Sequence, residues 1–297
     1  MDARARHDKM HEIGQRIEEW TLQICPPPFW SSDGTPNVNY DLLREVMRVP
    51  VRSGASARSG KLAAAIDLWC AWEFGHAGFS GEGLWPQQVE PRVIDPVAER
   101  LMALLPTIGV TKTDGLRGRI GSVDAKVMGS VYTKQVDVGM ASWPSGPELL
   151  ISTKTMGGSF GKNLGNRFEE AYGDVRNLRE RHPLAGHGFL FVVDASIEGE
   201  LGAFDKVVHM LRQLLQEGRL YDAVGLLVAD WGKGDVQEIP TRLQKSVPKK
   251  LSLESFFGTL VRIILENSPM DAHPRARAHY PDRKSTRLNS SHARLSR

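Results

Sequence analysis

The segment ELLISTKTM, residues 148–156, is where residue types and spacing first suggest chemistry. Leu149, Leu150 and Ile151 suit a strand that is apolar on both faces, yet the strand runs on into Ser152, Thr153 and Lys154. Strand side chains alternate between faces, so Ser152 and Lys154 point the same way, together with Leu150. A cation at the end of a buried strand either reaches out to solvent or is placed to act on a bound group. Other groupings are less pointed. The histidines, His182, His187 and His209 among them, lack metal-ligand spacing. Cys25 and Cys70 make neither a disulfide framework nor a zinc site. Asp194 and Asp230 end apolar runs, a position used both by catalytic and by helix-initiating residues. The Gly-rich stretch TMGGSFGKN lacks the P-loop pattern, because Lys162 is followed by Asn. It reads as a strand-to-helix turn whose backbone amides could touch a phosphate.

Local basicity points to a polyanionic partner. RVPVRSGASARSGK, residues 48–61, holds four cations, including Arg52, Arg58 and Lys61, and no acid. Such a stretch can track a nucleic-acid backbone. VRNLRERH puts Arg176 and Arg179 on one helix face, with Arg167 further back, as phosphate contacts or as an ordinary solvated face.

Those residues must be positioned by two kinds of sequence. Up to about residue 110 the pattern is helical with loops between. Residues 4–20 suit an exposed helix, and residues 60–74 place Leu62, Ile66, Trp69 and Trp72 at helical spacing. PRVIDPVAERLMALLP has Asp95 as N-cap, Pro96 at the first helical position and Pro106 as a stop. Beyond residue 110 the period changes. Residues 116–129 and 130–140 read as strands and are followed by the strand that opens this section. A helix over 161–182 carries Leu164, Phe168, Ala171, Tyr172, Val175 and Leu178 on one stripe. HGFLFVVD and AVGLLVAD read as strands covered on both faces, separated by an amphipathic helix, and a last helix spans 252–267. The expected class is α/β, a mixed central sheet flanked by helices, with a helical N-terminal region. The expected divisions are 1–92, the helical region; 93–270, the core; and 271–281, a linker or the start of a further segment.

Residues 282–297 are set apart. DRKSTRLNSSH, Asp282 to His292, matches the translation of a sequencing adapter, so the tail is expected to be an artefact that replaces the natural C-terminus. Lys and Arg number 38 against 35 Asp and Glu. The tail holds five of those cations and one of the acids, so residues 1–281 carry 33 against 34. Overall charge therefore neither supports nor excludes a nucleic-acid partner. No apolar run approaches the ~18 residues of a membrane span, and the charged start is unlike a secretory leader. A soluble, cytoplasmic protein is expected.

The order helix, three strands, helix, strand resembles the PD-(D/E)XK nuclease superfamily, over about residues 95–230. That family carries an Asp near the end of one strand, then an acid, any residue and a Lys on the next. Here Asp137 in KQVDVGM and the triplet Ser152, Thr153, Lys154 stand in those places. Val136 replaces the family's Pro, and Ser152 replaces the acid. The pattern looks like a branch of type II restriction enzymes in which Ser stands in the triplet and a Glu on the following helix supplies the metal ligand. Glu169 and Glu170 are the candidates for that role, and the distance from Lys154 favours Glu169. The triplet Asp124, Ala125, Lys126, with an earlier acid such as Asp114, is a second way to fit the motif.

The resemblance implies a Mg²⁺-dependent endonuclease of double-stranded DNA, a type II restriction enzyme or a related phage-defence nuclease. Asp137 with Glu169 or Glu170 would hold the metal, Lys154 would orient water or stabilise phosphate charge, and Ser152 would fill the acid's place. A DNA repair nuclease on the same core and a catalytically inactive DNA-binding relative are the alternatives. A cognate DNA methyltransferase encoded nearby is expected for the first. A homodimer is expected too, since cutting both strands of a palindrome is most simply done by a two-fold pair. Trp69, Trp72 and Trp85 are the aromatic candidates for its interface.

Overall fold

The apolar runs without polar alternation form the middle of the molecule. In the computed structural model, which describes residues 3–55, 60–110, 115–216, 220–232 and 234–281, every residue of β6 (Gly186–Asp194) and β7 (Ala223–Ala229) is buried. They lie parallel to each other and to β5 (Gly146–Met156), which pairs antiparallel with β4 (Val138–Ser142). A short β1 (Leu84–Trp85) completes the edge, so the sheet order is β1-β4-β5-β6-β7. The α/β class and the mixed, helix-flanked sheet are thus as expected from the sequence.

One face is covered by α1 (Ala3–Gln23), α2 (Tyr40–Arg52), α3 (Lys61–His76) and α8 (Leu253–Asn267). The other carries α6 (Phe160–Arg181) and α7 (Ala203–Gln216). Gly188 and Gly225 let α8 lie close against the sheet. A Cβ on Gly188 would come within 2.9 Å of Ile151 and 3.1 Å of the Phe256 ring. The N-terminal helices share one continuous core with the sheet, and residues 84–85 are a strand of it.

Three details differ from the sequence reading. α3 shows no single stripe, because residues 64–71 are all buried along with Glu73 and Phe74; it is an interior helix. The expected strand over 116–129 begins as a short helix, α5 (Leu116–Ile120), and becomes β2 only at Ala125–Met128. Leu116, Ile120 and Val123 are spaced four and three apart, a helical rather than a strand period. The expected strand over 130–140 is broken into β3 (Thr133–Val136) and β4, and β3 pairs with β2 in a separate two-stranded ribbon. The break falls at Asp137.

Asp95 caps α4 (Pro96–Leu104) as its spacing predicts, accepting from the amides of Val97 at 2.8 Å and Ala98 at 3.1 Å. Trp69 is fully buried, Trp85 nearly so, and Trp72 meets Trp20 edge-on at 5.9 Å. Trp69 and Trp85 are therefore spent within the chain, while Trp72 is partly buried. Residues 271–281 are held against the body by α9 (Pro274–His279): Arg277 donates to the carbonyls of Leu265 and Ala272, each at 2.8 Å. The tail from 282 on, with the adapter-like stretch, lies outside the described residues.

Candidate functional site

The break at Asp137 creates the site. The amide of Asp137 still bonds the carbonyl of Ile151 at 3.2 Å, and Val138 faces Ile151, so Asp137 stands across from Ser152. The ladder stops there, leaving the Thr153 amide without a strand partner on that side. The Asp137 carboxylate takes its place: Oδ2 accepts from the Thr153 N–H at 2.9 Å, from Ser152 Oγ at 3.3 Å and from Lys154 Nζ at 3.4 Å. Lys154 Nζ also donates to Ser152 Oγ at 3.1 Å. Two side chains and one amide of β5 thus meet around one carboxylate oxygen of the residue at the break. Both charged groups keep some solvent contact, at 18% for Lys154 and 22% for Asp137.

Thr153 points to the other face of β5, where its hydroxyl donates to Oδ1 of the buried Asp67 on α3. The guanidinium of Arg92 lies 3.7 Å from Asp67 Oδ2. Burial, reinforced by the negative charge of Asp137, pushes the Asp67 carboxyl up to about 7, against the opposing pull of Arg92, Thr153 and Lys154. Asp67 and Asp137 line one cavity of about 20 Å³, closed by Trp85, Arg92, Asp124 and Gln135. A volume of that size is enough for roughly one water. Asp67 escaped the sequence reading, although an acid inside AAAIDLWCAW, otherwise wholly apolar, was its visible signal.

On the same side of the sheet as Lys154, α6 carries both expected acids, which differ in exposure. Glu169 is exposed to solvent. Glu170 is half-buried, 4.0 Å from Lys134 Nζ and 2.9 Å from Arg167 Nη1. One turn on, Asp174 is buried, 2.5 Å from the same Lys134, and accepts from the Tyr132 hydroxyl at 3.4 Å. Burial opposes the Lys134 charge, but Asp174 and Glu170 outweigh it and raise its pKa. The Tyr221 hydroxyl, pushed far up by burial, also feels Asp174, Asp137 and Glu170. Lys134 and Asp174 were not picked out from sequence.

The other candidates fall into place individually. Asp194 caps a turn, accepting from the amides of Ser196 at 2.9 Å and Trp231 at 3.0 Å, which is a structural role. The amides of Phe160 and Gly161, expected to be open to a phosphate, already donate to the Glu200 carboxylate at 3.2 and 3.0 Å. His187 is buried and held down to about 4, hence neutral at neutral pH, with Nε2 at 2.9 Å from the His182 carbonyl. Asp124 accepts from Gln135 at 3.1 Å and borders the small cavity, while Lys126 is exposed on the ribbon; Asp114 lies outside the described residues.

Among the basic candidates, Arg52 forms a two-pronged pair with Asp235, at 3.0 and 3.1 Å, and Lys61 opens α3, half-exposed. Arg58 lies outside the described residues. Arg176 is exposed. Arg179, expected on the same outward face, is turned inward, donating to the Leu220 carbonyl at 2.7 Å and pairing with Asp222.

A hard divalent cation can be tested against this donor set. Oδ2 of Asp137 is committed to three donors, while no described residue donates to Oδ1. Among the described residues no group of three or more His, Cys, Asp or Glu is gathered as a metal cage. Mg²⁺ commonly takes only one or two carboxylates and completes its octahedron with water and substrate oxygens. Asp137, through Oδ1, is a carboxylate such a cation could use; both oxygens of Glu170 face cations, Oε1 near Lys134 and Oε2 on Arg167, which a metal would have to displace.

Compared with known proteins, the chain matches no family model, no curated sequence and no solved structure. Among the described residues, no helix is long and apolar enough to cross a membrane.

Proposed function

We propose that this protein is a Mg²⁺-dependent endonuclease of double-stranded DNA, of the type II restriction or phage-defence kind. The observation that carries the reading is the meeting of Asp137, Ser152 and Lys154 around one carboxylate oxygen at the break between β3 and β4. Phosphodiester hydrolysis needs a nucleophilic oxygen at phosphorus and a positive environment for the phosphate charge that grows in the transition state. A bound Mg²⁺ would supply Lewis acidity and lower the pKa of coordinated water.

The chain's own residues do the rest. Asp137 Oδ2 fixes Lys154 Nζ, and Ser152 Oγ gives that ammonium a second anchor, so its third proton is directed outward. That proton can hold a non-bridging phosphate oxygen or the attacking water. Ser152 stands where the family has a carboxylate, so it holds the lysine without adding negative charge next to the phosphate. Asp137 Oδ1 and Glu170 would provide the cation's protein oxygens. The exposed Arg176, on α6 with Glu170, would contact the DNA backbone. A cognate methyltransferase encoded nearby would protect the host's own sites.

The test is incubation of the purified chain with mixed-sequence plasmid DNA and Mg²⁺, with EDTA as control. Discrete fragments are expected. A smear would move the reading to a non-specific or repair nuclease. No cleavage, with DNA binding retained, would make it an inactive DNA-binding relative.

A further inference from the structure

The ribbon of β2 and β3 divides its eight side chains between two faces. Its cross-strand pairs are Ala125 with Val136, Lys126 with Gln135, Val127 with Lys134 and Met128 with Thr133. Strand alternation puts the first and third pairs on one face, and all four of those residues are buried or half-buried. Ala125, Val127 and Val136 pack there with Trp85, Leu150 and Leu178, and Lys134 is bound to Asp174. The second and fourth pairs share the other face, where Lys126, Met128, Thr133 and Gln135 are all exposed. No described residue pairs with the Lys126 ammonium. Gln135 donates to Asp124 at 3.1 Å, which orients its amide and uses one of two amide protons. The turn of the ribbon is fastened to α6 by the buried Asn177. Its Oδ1 accepts from the amides of Val131 at 2.9 Å and Tyr132 at 3.2 Å, and its Nδ2 donates to the Tyr132 carbonyl at 2.9 Å. The exposed face is therefore held in a fixed position, as a recognition surface requires.

We propose that the exposed face of this ribbon enters the major groove of double-stranded DNA and reads base edges, with Lys126 as the guanine contact and Gln135 as the adenine contact. The inference rests on the DNA-cleaving reading of the Asp137 site and adds the element that chooses where the cut falls. Three observations favour it. The first is shape: a two-stranded ribbon fits a major groove about 12 Å wide. Four rungs at about 3.4 Å each cover roughly three base-pair steps. The second is residue type. Lysine donates to the O6 and N7 acceptors of guanine, glutamine bonds adenine through N6 and N7, and the apolar parts of Met128 and Thr133 suit a thymine methyl. The four residues bring one positive charge and no negative one to the groove. The third is position. β3 runs directly into the break at Asp137, and Gln135 stands only two residues before it. A base contact there lies about 7 Å along the chain from the carboxylate that anchors Lys154.

The test separates base reading from cleavage. Lys154→Ala serves as a cleavage-silent background, and the duplexes it retains from a randomised library in Mg²⁺ are sequenced; the ends of plasmid fragments cut by the wild-type chain give the motif independently. One recurring motif is expected. Lys126→Gln should move the preference at one position from guanine to adenine, a change of identity that mere loss of structure does not produce. Gln135→Ala should reduce discrimination at a neighbouring position by roughly tenfold to a hundredfold, the range for one lost base contact. Arg176→Ala, a backbone contact, should lower affinity and leave the motif as it was. Lys126 and Gln135 are exposed, so both variants should melt within a few degrees of their parent. The same motif in the parent and in both ribbon variants overturns the proposal, while cleavage by the wild-type chain would leave the nuclease reading standing. Retention or cutting of DNA without any motif overturns it as well. If the wild-type chain neither retains DNA nor cuts it, the ribbon reading and the nuclease reading fall together.

Discussion

On one face of β5, Ser152 and Lys154 meet Asp137 at 3.3 and 3.4 Å and keep contact with solvent. On the other, Thr153 is buried and hydrogen-bonded to a buried acid, Asp67. The side-chain hydrogen bonds of the open face are 3.1–3.4 Å long and partly open to solvent, so they can be exchanged for bonds to a substrate. Those of the closed face are buried, which strengthens them, and they fix where the strand lies. The same three residues thus combine an adjustable surface with a rigid support, which is what a reacting site requires.

Removing Lys154 should separate the two faces most sharply. In Lys154→Ala the closed face is untouched, so folding and DNA affinity should stay near wild type while cleavage falls ~100-fold or more, the scale of losing one transition-state charge contact. Single-turnover cleavage beside a thermal melt measures both. A wild-type rate in the variant would remove Lys154 from the chemistry.

The second effect is smaller and tests the acids that α6 adds to the open face. Glu170→Ala should lose Mg²⁺-dependent cleavage by at least about tenfold, as expected when one of few metal oxygens is withdrawn. Glu169→Ala should be tolerated, since that side chain is exposed to solvent. Ser152→Asp should restore part of the rate lost in Glu170→Ala by returning a carboxylate to the cluster. Equal activity of the two single variants across a Mg²⁺ titration would exclude α6 as a source of ligand.

The closed face should show itself through pH. Folded, Asp67 keeps its proton up to about pH 7, whereas unfolded it releases it near the ordinary value of 3.8. Between those values the unfolded chain has given up a proton that the folded chain holds, so this residue makes stability fall as pH rises, by at most ~1.4 kcal/mol per unit. Asp67→Asn leaves an oxygen for the Thr153 hydroxyl but cannot titrate. The variant should gain on wild type between pH 5 and 7, read as the difference in melting temperature across that range, and the gain should level off above pH 8. A constant difference across the range would mean that Asp67 is ionised throughout in the folded chain.

How far the sequence revealed this site depends on how local each signal was. Ser152 and Lys154 were legible because strand alternation places both on one side, and Asp137 through its likeness to a known motif. The β6 and β7 runs announced a sheet covered on both faces. Asp67 was not legible as a partner: it lies 86 residues from Thr153, and only packing of α3 beneath β5 joins them. The choice between Glu169 and Glu170 turned on one helical step of rotation, which depends on how α6 settles on the sheet. The break of residues 130–140 at Asp137 was hidden because Val136 and Val138 continue a strand-like alternation across it.

The smallest effect expected concerns two arginines three residues apart on α6. Arg176 is exposed, while Arg179 is bound to the Leu220 carbonyl and Asp222, the latter also accepting the His187 amide at 2.8 Å. If Arg176 meets phosphate, Arg176→Ala should weaken DNA binding a few-fold, equally for all sequences, and reduce the slope of log affinity against log salt by about one. Arg179→Ala should leave that slope unchanged and instead cost about 1.5–3 kcal/mol of stability, the usual loss for a hydrogen bond to a charged group. Fluorescence anisotropy over a salt series, paired with urea unfolding, distinguishes the two. A changed slope for Arg179→Ala and none for Arg176→Ala would mean that DNA meets the opposite flank of α6.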